Sequence, residues 1–176
     1  MKKLLTGILA ASLAFGAPAM AQNDDEYSYD PETVRWEVKL LDADGNEVNR
    51  KARATDAVAT VLGPRKYQLS IGCSRGDRTR FIRIQRLVDN EEMAEFSGRV
   101  FDPMVEVRYR GETIFTTERG ALRWQDEGYY EGRAGNRVTD ALKRGARAIF
   151  YDEDSDERIA FQLDGSYNAI SQVPCE

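Results

Sequence analysis

Tyr67-Gln68-Leu69-Ser70-Ile71-Gly72-Cys73 is the stretch from which the rest of the chain is read. Tyr67, Leu69, Ile71 and Cys73 alternate with smaller or polar residues, the two-residue period of a strand with one buried face. Cys73 is one of only two cysteines among 176 residues, and the other, Cys175, is the penultimate residue. A bond between them fastens the end of the chain onto this strand. Closing a loop of about 100 residues contributes roughly 4 to 5 kcal/mol by restricting the unfolded chain. That is comparable with the net stability of a whole small domain.

The beginning of the chain reads as an export signal. Lys2 and Lys3 supply the positive start, residues 4–15 an apolar run, and Ala19-Met20-Ala21 a small-x-small cleavage site before Gln22. Cleavage after Ala21 leaves residues 22–176, one domain by size and long enough for a real core. Gln22 is not cysteine, so the expected product is no lipoprotein but a protein free in the periplasm or secreted. An oxidising compartment makes a disulfide the simplest reading of two cysteines. The full chain carries a net charge of −5, and losing Lys2 and Lys3 takes it to −7. Such a charge argues against nucleic acid or an anionic membrane surface as the main partner, and no later segment reads as a membrane span. There is no histidine, which removes the commonest general base and the commonest zinc ligand.

Working outward from residues 67–73, residues 22–32 read as an acidic, polar leader and residues 33–176 as a single β domain. Val34, Trp36, Val38 and Leu40 share one face of a strand over 33–41, and Asp42-Ala43-Asp44-Gly45-Asn46 predicts a turn after which the next strand returns antiparallel. Further strands are expected over 57–62, 80–88, 105–109, 113–117, 146–151 and 158–163, with 121–130 extended and 132–135 a loop. The helix signal is shortest and clearest over 136–145. Asn136 or Thr139 stands at its start, Val138 and Leu142 lie on one face, and Gly145 ends it. One helical turn is expected over 167–172, with Ile170 and Val173 facing inward. Seven to nine short strands separated by turn signals predict a mainly β fold, an antiparallel β-sandwich or partly open barrel with one or two short helices.

Candidate sites are few. Arg75, Arg78, Arg80, Arg83 and Arg86 form the densest basic stretch, and a strand register starting at Arg78 sets Arg78, Arg80 and Arg86 on one side, suited to a polyanion or an acidic partner protein. The same residues also suit an outward face paired with acids such as Glu91 and Glu92. Asp152, Asp154 and Asp156 are spaced as calcium ligands would be. Their loop lacks the central glycine and distal glutamate of a complete calcium loop, and a solvated hairpin tip accounts for the charges, so no metal or cofactor is expected. Glu127 and Glu131 are a carboxylate pair with no sign of a shared cleft. No nucleophile elbow or phosphate loop occurs, so no catalytic residue is assigned. Trp124, Tyr129 and Tyr130 suit a binding platform or cross-strand pairs in a core.

Residues 67–73, Thr139-Asp140-Ala141-Leu142, Ala160-Phe161-Gln162-Leu163-Asp164-Gly165-Ser166 and the terminal cysteine together resemble the small exported proteins of the type VI secretion-associated VasI/TagO group. The resemblance covers roughly residues 67–176, and the cysteines that group often carries near the mature N-terminus have no counterpart. It implies a monomeric, non-enzymatic binding or accessory role in the cell envelope, with a protein partner. A second resemblance, to periplasmic lysozyme inhibitors of the MliC kind, rests on the strand ending in Cys73 and on Ser97-Gly98-Arg99. It implies an inhibitor of a lytic enzyme such as lysozyme. A carboxylate-based hydrolase is the third alternative.

Overall fold

The computed structural model describes residues 34–44, 46–49, 53–74, 78–87, 102–125, 128–154, 156–173 and 175. The signal and leader readings, Arg75, Glu91, Glu92, Ser97-Gly98-Arg99 and Glu127 lie outside these residues. Among them, no helix is long and apolar enough to cross a membrane.

Residues 67–73 behave as their alternation requires. They form most of β3 (Tyr67–Ser74), whose inward side chains Tyr67, Leu69, Ile71 and Cys73 are all buried. β3 sits inside a sheet with β1 (Trp36–Leu41), β2 (Asp56–Leu62), β4 (Thr79–Arg86), β7 (Leu122–Gln125) and β8 (Tyr129–Arg133), in the order β1-β2-β3-β4-β8-β7. A second sheet, in the order β10-β9-β5-β6, contains β5 (Met104–Tyr109), β6 (Glu112–Thr116), β9 (Arg147–Tyr151) and β10 (Arg158–Gln162). Every strand pair is antiparallel.

The inner faces of the two sheets meet as a sandwich. Leu69, Ile71, Ile82 and Ile84 from the larger sheet share one core with Val105, Val107, Phe150 and Phe161 from the smaller, and Phe150 and Phe161 meet edge to face at 5.5 Å. Each such side chain, taken fully out of water, contributes roughly 1.5 to 3 kcal/mol.

Four strands cannot cover six, and the sequence supplies helices for the remainder. α1 (Asn136–Arg144) buries Val138, Ala141 and Leu142 in the main core. Neither Asn136 nor Thr139 caps it: Gly135 is the N-cap residue, and the Thr139 hydroxyl instead donates to the Gly135 carbonyl at 3.1 Å. Gly145 ends the helix by closeness rather than by a left-handed turn, since an added Cβ would lie 2.4 Å from Val107 Cγ1. α2 (Ser166–Ser171) then crosses the small side chains of the larger sheet. Ala57, Ala59 and Cys73 form a shallow bed on which Ala169 and Val173 pack, with Ile170 buried in the main core beside them. The Ser166 hydroxyl ties α2 to α1 by donating to the Leu142 carbonyl at 2.8 Å. Cys175 completes the closure by bonding Cys73 across 102 residues, with Cα atoms 5.5 Å apart.

One expectation is met and another needs correction. After the turn at residues 42–46 a single bridge joins Leu41 and Glu47, and the next strand, β2, returns antiparallel to β1 as its position after the turn predicts. The extended stretch 121–130 is two strands, and Gly132 and Arg133, read as loop, belong to β8.

Candidate functional site

The basic stretch does not form one face. β4 starts at Thr79, leaving the exposed Arg78 in the preceding turn with φ 55°. Arg80 and Arg86 share their side of β4 with Ile82 and Ile84, which face the core, so they border the core's two ends instead of making an outward patch. Arg80 Nε is buried with no hydrogen-bond partner among the described residues, and the Arg86 guanidinium lies 5.8 Å from the Tyr67 ring centre. Of the arginines in β4, Arg83 is the one on the outward face.

Around Arg83 the pairing assembles a site that no local stretch of sequence contains. β4 pairs with β3 on one side and with the distant β8 on the other, setting Phe81 opposite Arg133, Arg83 opposite Glu131 and Gln85 opposite Tyr129. The Arg83 guanidinium lies 3.9 Å from the Tyr129 ring centre and 4.9 Å from that of Phe81. Its Nε and Nη2 both donate to Glu131 Oε2, at 3.0 and 2.8 Å. Cation–π stacking and a charge-assisted bond thus fix a side chain that otherwise has high rotamer freedom. Beneath it the sheet is made of small residues. Gly72 lies under Phe81, where a Cβ would fall 2.0 Å from the ring, and Ser70, opposite Arg83, is buried.

The rim is basic. Arg123 is paired across from Glu131 and Arg133 across from Phe81, both exposed, and neither makes an ion pair among the described residues. Among the described residues of this half of the face, three arginines stand against one glutamate, a positive balance in a chain whose total charge is negative. Gln85 and Gln68 extend the face toward β2, joined at 3.0 Å.

The aromatic trio divides between the two faces. Trp124 and Tyr130 form an inward edge-to-face pair with centres 5.0 Å apart, leaving Tyr129 outside. Glu131 is held by Arg83, which removes it from the acid–base pair considered with Glu127. At the other end of the molecule, the Asp152 carboxylate accepts from the backbone N–H groups of Asp102 and Asp154, at 3.2 and 3.0 Å. Asp154 is bonded to Arg119 Nη2, and Arg119 Nε reaches Asp102 at 3.1 Å. Asp152, Asp154 and Asp156 are therefore part of an arginine-clamped loop, and no metal-ligating cluster occurs among the described residues.

Two buried polar groups escaped the sequence. Glu106, on the outer face of the smaller sheet, accepts from Arg108 Nε and, at 2.5 Å, from the Thr113 hydroxyl. These bonds hold its carboxyl below the ordinary carboxylate range against the opposing effect of burial, and an acid kept ionised in this way is a poor proton donor. Tyr67 donates to Glu157 at 3.3 Å; burial first, then the negative charge of Glu157, pushes its hydroxyl up to about 12.

No family model, no curated protein and no solved structure matches this chain.

Proposed function

We propose that this protein is exported to the periplasm or secreted, and acts there without catalysis as a binding or accessory protein of the cell envelope, in the manner of the secretion-associated group its sequence resembles. Its protein partner docks on the outer face of β4, β8 and β7. The observation that carries this reading is the Arg83 guanidinium, held between Phe81 and Tyr129 and anchored by Glu131. Tyrosine, phenylalanine and arginine are the residues protein interfaces favour at their centres. Prior immobilisation lowers the entropy lost when they are covered. Arg123 and Arg133, exposed and without an ion pair among the described residues, suit an acidic surface and steer its approach. The disulfide is compatible with an oxidising compartment.

The test is affinity capture from envelope extract with wild-type protein and with an R123E/R133E double variant. Both arginines are exposed, so the variant should keep the wild-type melting temperature while losing an acidic partner that the wild type retains. Equal recovery of the same partner by both would refute this face as the docking surface.

A further inference from the structure

The hairpin of β5 and β6 turns through Arg110 and Gly111, both with positive φ, and the strands then fall out of step. Val107 faces Phe115, but the next residue, Arg108, faces Thr113, leaving Ile114 as an extra residue in β6. A bulge of this kind re-aims a side chain. Ile114 is left 42 % exposed and Tyr109 43 % exposed, among the few large apolar side chains on the described surface. They do not stand apart. Together with Arg144, from the last turn of α1, they line a half-open cleft of about 590 Å³, a volume typical of small-molecule sites.

Arg144 is placed to receive an anion there. Its Nε donates to the Asp140 carbonyl at 3.2 Å, which anchors the guanidinium, and it makes no ion pair among the described residues. Arg110 stacks on the Tyr109 ring at 5.2 Å. Glu112, across from Tyr109, and Asp140 are exposed acids nearby, so net charge does not select the ligand. Selection falls to the planar fork of a guanidinium, which matches a carboxylate in two parallel hydrogen bonds, and to the adjoining apolar wall.

We propose that this cleft binds a small organic carboxylate with an apolar body, the carboxylate on Arg144 and the body against Tyr109 and Ile114. The site is on the smaller sheet and is independent of the docking face around Arg83. Amide NMR titration of the disulfide-bonded protein with octanoate tests it, with octanol and acetate as the uncharged and tail-less probes. Octanoate should give saturable shifts centred on Tyr109, Ile114 and Arg144, with Kd below about 1 mM. Octanol and acetate should give none. R144Q and I114S, both at exposed positions, should each weaken octanoate binding about tenfold at unchanged melting temperature. The two variants test head and tail separately, so either suffices if the other fails to fold. No saturation by octanoate up to that concentration, shifts centred elsewhere, or undiminished binding by a folded variant would overturn the proposal.

Discussion

Replacing Cys175 with serine removes the tether between the tail and β3, and its cost follows from the length of chain it closes. The two cysteines are 102 residues apart, and restricting an unfolded chain over that distance is worth about 4.7 kcal/mol at 25 °C. Cys175 is the better of the two to change. It is only partly buried, so a serine hydroxyl there meets water, whereas Cys73 is fully buried, where a free thiol is tolerated as a small apolar group. The contacts of Ala169 and Val173 with Ala57 and Ala59 remain available to the variant, so the loss should be close to the entropic figure. Urea unfolding followed by circular dichroism measures it. With an m-value of about 2 kcal/mol/M, the midpoint should fall by roughly 2 M, with m rising as the uncrosslinked chain unfolds to a more expanded state. A shift corresponding to less than about 1 kcal/mol would refute the reasoning, because the tail would then be held by packing alone.

Other consequences are smaller and equally direct. Gly72→Ala places a methyl group against the Phe81 ring, displaces it from beside Arg83, and should cost about 1 to 3 kcal/mol, read as a lower urea midpoint. The Tyr67 hydroxyl has its folded pKa raised to about 12 from 10.0, so the folded state holds the proton longer than the unfolded one. Stability should therefore decline as pH rises through that interval, and the decline should be shallower in Tyr67→Phe, measured by unfolding at a series of alkaline pH values. Glu106 has a lowered pKa, so its contribution is present above the ordinary value of 4.5 and is lost as pH falls through its folded value. Glu106→Gln should be less stable than wild type at neutral pH and should lose less stability on acidification, a comparison that thermal melts at pH 7 and below 4.5 make directly.

The sequence disclosed the sandwich wherever one face of a strand is dry. Tyr67, Leu69 and Ile71, and likewise Val105 and Val107, carry the apolar alternation because they meet the opposite sheet, and Cys73 continues it under α2. Val138 and Leu142 marked α1 for the corresponding reason at helical spacing. The outward face was less legible. Phe81, Arg83, Tyr129 and Glu131 meet only because β4 pairs with β8, a contact across 48 residues that no local pattern records. The basic stretch carried a usable signal all the same: Ile82 and Ile84 identify the buried side of β4 and so separate Arg80 and Arg86 from Arg83. Nothing comparable marks Glu106, whose alternation suits a wet face and whose burial depends on Thr113 and Arg108 closing over it.

The claim that function resides on the outer face around Arg83 is tested most directly by photo-crosslinking in cells. A photoreactive residue would replace Gln85, beside Tyr129 on that face, and, in a separate protein, Thr116 on the outer face of the smaller sheet. A discrete adduct with an envelope protein from position 85, absent from position 116, is the predicted result. An adduct from position 116 with none from position 85 would contradict the account.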